Sequence, residues 1–254
     1  MTAAWTLHPL YYGEFTAFER SLFVYHRGFG EKIAAPATGW LLTRGAERIV
    51  VDTGPYEPDL GERFHGYAME RSGPDAVRAA LAAHGVAPED VRDVVLTHLH
   101  WDHSSNVGLF SRARFHVQRA ELEYASAPLA PHRLAYDLGL DGHAPPWRAV
   151  IDRMELLDGD AELREGITCH LLPGHTPGSQ SVAVQTGGAR YLIAGDNVDL
   201  AENWAGDDEL PHRPGAIFVD LRAYLESLER MEGLADVVLP AHDFAIFEQE
   251  RYPP

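Results

Sequence analysis

Short apolar runs alternate with amphipathic stretches along most of the chain. Residues 38–43 (TGWLLT) and 48–52 (RIVVD) have the length and β-branched content of strands, and Gly45 between them predicts a hairpin. Residues 74–84 predict a helix: Pro74 suits its first turn, Val77 and Leu81 share a face, and Gly85 ends it. Residues 93–97 (DVVLT) form a short apolar run that reads as a buried strand. A strand over 114–118 and a helix over 119–126 follow. Strands are expected over 167–172, 180–185 and 190–194, the last two joined at Gly187-Gly188. Residues 221–232 predict a helix capped by Asp220, with Leu221, Tyr224, Leu225 and Leu228 on one face and Gly233 as its stop. A last strand over 236–239 leads into Pro240-Ala241-His242. Residues 127–148, rich in Pro, His and Gly, read as an irregular or lid segment. Hairpins intermixed with helices predict an α+β fold, two mixed β-sheets flanked by helices in an αββα sandwich, rather than strict βαβ winding.

Composition narrows the class without naming a function. The 254 residues contain no linker or repeat that divides them, so one domain over 1–254 is expected. The formal charge is −17, which disfavours a nucleic-acid partner. Met1 to Leu10 has no basic start and no apolar core, and no stretch approaches the roughly 18 apolar residues of a membrane span. The expectation is a cytoplasmic protein with no membrane partner. Its oligomeric state is left open, a homodimer included. The lone Cys169 lies in a strand pattern and is expected to be buried and inert.

Chemistry concentrates where apolar runs end. Thr97-His98-Leu99-His100-Trp101-Asp102-His103 offers four ligand-type side chains in six residues, directly after a strand. Imidazole nitrogen and carboxylate oxygen are the donors that zinc and similar divalent ions accept. His98 and His100 lie two apart, so an extended backbone points both the same way, and Asp102 and His103 follow as the chain turns into a helix. His175 (in PGHTPG), Asp196 (in AGD) and His242 (in PAHD) each sit just past a further apolar run, the place where sheet proteins tend to build sites. A His-rich surface loop or satisfied structural histidines would explain any one of these positions, but not all of them together.

The stretch H-x-H-x-D-H at 98–103, GHTPG at 174–178, GD at 195–196 and the late His242, in that order, resemble the metallo-β-lactamase superfamily. The resemblance runs from Asp52 to His242. It implies two divalent metal ions, zinc first among them with manganese, iron or cobalt as alternatives. One ion is held by His98, His100 and His175 and the other by Asp102, His103 and His242, with Asp196 between them and Asp52 supporting the ligands. It also implies hydrolysis of a small-molecule ester or lactone by attack of a hydroxide bridging the ions, with Asp102 orienting it and accepting a proton.

Within that superfamily the full ligand set disfavours an iron redox branch, and Asp196 disfavours the β-lactamases proper. The short stretch after His242 disfavours a helical substrate domain of the glyoxalase II kind. The chain looks most like N-acyl homoserine lactonases and related bacterial lactonases, which also carry an aromatic N-terminal segment, here Tyr11, Tyr12, Phe15, Phe18, Phe23, Tyr25 and Phe29. Those aromatics read either as an acyl-binding wall or as plain core. One departure stands out: Asp199 occupies the place where those lactonases usually carry a tyrosine. Trp101, Asp199 and Trp204 are candidate pocket residues, and His132 and His143 are candidates for its mouth. A thioesterase, or a hydrolase of another cyclic ester or amide, is the alternative activity, and a metal-stabilised binding protein on the same fold is the non-enzymatic one.

Overall fold

The structure is a computed structural model and describes residues 4–254; residues 1–3 of the N-terminal stretch read above lie outside the described residues. Among the described residues, twelve strands form two sheets. They are β1 (Thr6–Glu19), β2 (Lys32–Arg44), β3 (Glu47–Val51), β4 (Met69–Glu70), β5 (Asp93–Val95), β6 (Arg114–Gln118), β7 (Met154–Leu157), β8 (Ala161–Arg164), β9 (Ile167–Leu171), β10 (Gln180–Gln185), β11 (Arg190–Ile193) and β12 (Val237–Leu239). The first sheet runs β4-β1-β2-β3-β5-β6-β7 and the second β12-β11-β10-β9-β8. Both are mixed: β1, β2, β3 and β4 pair antiparallel, β3, β5, β6 and β7 pair parallel, and β12 joins β11 in parallel.

The period-2 alternation of each strand explains the layering. Trp40, Leu42, Ile49, Val51 and Val95 face inward and meet Ile167, Cys169, Val182, Val184 and Ile193 of the second sheet. The intervening residues Leu41, Val50 and Val94 face outward, where Val77 and Leu81 of helix Pro74–Ala82 cover them. On the far side, Ala183 and Leu192 pack under Tyr224, Leu228 and Met231 of helix Leu221–Met231. The result is helix, sheet, sheet, helix, as the pattern predicted. Asp220 caps the last helix, accepting hydrogen bonds from the Arg222 and Ala223 amides. Cys169 lies between the sheets, where burial pushes its thiol up to about 12.

Among the elements not foreseen are the 14-residue β1, helix Pro58–His65, and the edge strands β4, β7 and β8. β1 is irregular. Its register against β2 shifts between Tyr11 and Glu14 and again between Phe15 and Phe18, and each shift interrupts the alternation that marks a strand in sequence. The 127–148 segment forms loops and short turns, including Ala130–His132 and Leu134–Tyr136. No helix among the described residues is long and apolar enough to cross a membrane.

Candidate metal centre and its cavity

The site gathers at one edge of the sandwich, at the C-terminal ends of β5, β11 and β12 and the loop between β9 and β10. β5 delivers Thr97 and His98, and a four-residue helix, Trp101–Ser104, turns Asp102 and His103 back toward them. The β9–β10 loop brings in His175. Gly174 takes a φ of 144°, and a Cβ there would lie 2.3 Å from the Tyr224 backbone, so only glycine lets this loop press against helix Leu221–Met231. Asp196 follows β11, and Tyr224 donates from its hydroxyl to the Asp196 carbonyl at 2.5 Å. His242 follows β12.

The seven side chains fall into two groups that share Asp196: His98, His100, His175 and Asp196, and Asp102, His103, His242 and Asp196. His175 Nε2 lies 3.2 Å from His98 Nε2 and 3.1 Å from His100 Nδ1. Asp196 Oδ1 lies 2.9 Å from His103 Nε2 and 3.3 Å from His242 Nε2, and its Oδ2 lies 3.5 Å from His175 Nε2. His103 Nε2 and Asp196 Oδ1 are both buried and, despite their closeness, make no hydrogen bond.

The other ring nitrogens settle what the facing ones can do. His103 Nδ1 donates to Asp52 Oδ2 at 2.9 Å, His175 Nδ1 to the Ile217 carbonyl at 2.8 Å, and His242 Nδ1 to the Pro36 carbonyl at 3.0 Å. Thr97 Oγ1 gives its single proton to Asp52 Oδ2 and therefore accepts from His98 Nδ1. Four imidazoles thus spend their Nδ1 proton on the protein and turn a bare Nε2 inward. Lone pairs facing one another at about 3 Å repel unless a cation lies among them, so the donor set fits metal ions.

The titration behaviour agrees. Burial, helped by the neighbouring His103, holds His98 well below the usual histidine range, and burial with His175 does the same to His100. Burial also opposes charge on His103, but Asp196, Asp102 and Asp52 outweigh it and raise that ring well above the usual range. The first group thus favours neutral imidazole donors, and the carboxylates around the second favour positive charge there.

Asp52 holds the arrangement from behind. Its carboxylate also accepts from the Thr97 amide at 2.8 Å. Its φ is 61°, an uncommon conformation for a residue other than glycine, stabilised here by the Asp52 amide bond to the Val95 carbonyl.

Sequence reasoning missed Glu121. This fully buried carboxylate accepts from the Leu99 amide, the Tyr136 hydroxyl and the Thr176 hydroxyl. It therefore ties the loop between His98 and His100 to the residue after His175. Burial pushes its carboxyl above the usual range against the pull of those hydrogen bonds. A glutamate in a predicted helix is ordinarily solvent-facing, so nothing in the sequence marked it.

The centre opens into a cavity of about 230 Å³. Phe15 and Phe18 of β1, with Phe23, Tyr67 and Trp101, build one wall; Ile217, Phe218 and Val219 build another; and Pro131, His132, Leu134 and Ala135 border it. Trp101 stacks on His65 at 4.1 Å, and His65 pairs with Asp137 at 3.0 Å. Asp199 lines the cavity, as does His132. Two expectations differ. Trp204 does not line it: its ring stacks on His212 at 3.9 Å and packs against the cluster that holds Tyr224 and Leu228. His143 is held instead by the Tyr56 hydroxyl at 2.7 Å. Of the N-terminal aromatics, Tyr12 is core and Phe29 is 74% exposed.

The family model described as the metallo-beta-lactamase superfamily matches residues 35–242. An N-acyl homoserine lactonase of a Bacillus species is 27% identical over 239 residues, covering 87% of this chain and 86% of the relative. Among solved structures, an AiiA mutant of B. thuringiensis with N-decanoyl-L-homoserine bound superposes with a TM-score of 0.76 at 24% identity, covering 98% of this chain and 96% of that one. AidC, a dizinc quorum-quenching lactonase with bound product, reaches 0.70 at 18% identity, covering 96% and 89%. Fold, ordered motifs and family match agree: the chain belongs to the metallo-beta-lactamase superfamily.

Proposed function

We propose that the protein is a metal-dependent hydrolase that opens the ring of a neutral lactone, N-acyl homoserine lactones being the first class to test. The observation that carries this reading is a pair of His/Asp groups sharing Asp196 at the head of a cavity walled by Phe15, Phe18, Phe23 and Trp101. The similarity to named lactonases over most of the chain supports it. His98, His100, His175 and Asp196 would hold one divalent ion and Asp102, His103, His242 and Asp196 a second, zinc being the leading candidate. Such ions supply Lewis acidity and acidify water.

The chain's own residues do the rest. Asp52, Ile217 and Pro36 fix the imidazole tautomers, so the inward nitrogens stay bare. Asp102, partly open to the cavity, is placed to hold a proton on its carboxylate during turnover. The aromatic wall binds the apolar part of the substrate and excludes water. No Lys or Arg lines the cavity among the described residues. A substrate carboxylate, such as that of a β-lactam, finds no guanidinium or ammonium group there.

The test is proton release from a γ-lactone, a thioester and a β-lactam of matched acyl chain. The lactone should turn over fastest. A thioester or β-lactam outpacing every lactone would overturn the assignment.

A further inference from the structure

Asp199 is the one cavity carboxyl that the site leaves idle. It is 5% exposed, lines the cavity, and its carboxyl makes no hydrogen bond to any described residue. Asp196 and Asp102, by contrast, belong to the ligand groups. The residue is buried, yet it borders the cavity, where a ligand can supply its carboxyl with a partner. Its backbone is fixed, since the Asp199 carbonyl accepts from the His242 amide at 2.8 Å. Its carboxyl has a fitted berth. A Cβ on Gly215 would lie 2.4 Å from Asp199 Oδ2, so the glycine makes the room that the carboxyl fills.

We infer that Asp199 is a specificity residue whose carboxyl accepts a hydrogen bond from a donor on the substrate, an amide N–H or hydroxyl on the carbon next to the scissile carbonyl. A carboxyl oxygen accepts in either protonation state, so the inference is independent of its titration. Reach supports it: Asp199 and the ligands Asp196 and His242 line the same small cavity, so a substrate whose carbonyl meets the centre carries its neighbouring carbon toward Asp199. This inference rests on the lactone reading for its substrate frame.

The test therefore reads binding as well as turnover. An α-acylamino-γ-lactam and its counterpart methylated at the acylamino nitrogen are titrated against the metal-loaded protein, with tryptophan fluorescence as the signal. The wild type should bind the N–H ligand about tenfold more tightly, the worth of one hydrogen bond to a carboxyl group. Asp199→Leu should bring the ratio close to one. Gly215→Ala, which must displace the carboxyl while keeping it, should also shrink the ratio, and it serves if the leucine variant does not fold. Equal binding of the two ligands by the wild type, or an unchanged ratio in both variants, would overturn the inference. Failure of the lactone reading shows separately, as absent ring opening by a protein that still distinguishes the two lactams.

Discussion

The two sides of the cavity are built on different physics. The His/Asp side is a network: four of its five imidazoles are braced by a named hydrogen-bond partner, and Asp52 and Glu121 tie loops from distant parts of the chain. The aromatic side is packing: Phe15, Phe18 and Tyr67 meet edge-on or stacked at 4.9–5.9 Å, with little polar anchoring. A network fixes atoms to within tenths of an ångström and fails sharply when a member is lost. A packed wall fixes only volume and tolerates substitutions of similar size. Under the proposed function, the chemical step belongs to the first side and the choice of acyl group to the second.

Substitutions that break one side should leave the other readable. The largest effect is expected of His175→Ala and Asp196→Ala, which should abolish turnover and lower bound metal, measured by elemental analysis. Asp102→Asn should keep the fold but lose about 10²- to 10⁴-fold in kcat, the range for a group that moves a proton. Wild-type turnover in this variant would sink the role given to Asp102. Asp52→Asn should weaken metal affinity by about 10- to 100-fold through a misoriented His103, seen by chelator competition. On the other side, Leu134→Ala, at the half-exposed border of the cavity, should raise KM by about threefold for long acyl chains with kcat unchanged, as expected when part of one apolar contact is lost. A kcat effect there would mean that the two sides are not separable.

A third region offers a control. Asp93, at the other end of β5, accepts from His116 at 2.8 Å and from Arg164 of β8 at 2.5 Å, joining the two sheets. Burial opposes its ionisation, but these partners hold its carboxyl below the usual range. A lowered folded-state value means that its stabilisation is present above the unfolded carboxylate range and is lost as pH falls through the folded value. Asp93→Asn should lower Tm at neutral pH by about 2–4 °C, the shift expected for about 1 kcal/mol in a chain of this size. The difference should vanish in acid, and turnover per metal should be unaltered.

The gathering of the seven His and Asp side chains was legible in the sequence because most of them follow short apolar runs, and a polar residue at the end of a buried strand stands out. The layered fold was legible for the same reason: Val94/Val95 and Val182/Val184 show the alternation that a two-sided sheet needs. β1 was not, because its two register shifts break the alternation and its aromatics mix core positions such as Tyr12 with cavity positions such as Phe15. Tyr67 and His65 were missed because they reach the cavity from an unforeseen helix and the turn after it. Trp204 was misplaced since a tryptophan near the site carries no directional signal: what orients it is His212, eight residues on.

The most direct test of the central claim is metal content per chain, taken alongside lactone ring opening before and after chelation. The account predicts two divalent ions per folded chain, loss of ring opening on their removal, and its return on adding zinc. Full ring opening by a chain stripped of metal would contradict it, as would a saturated protein that holds only one ion and still turns over fully.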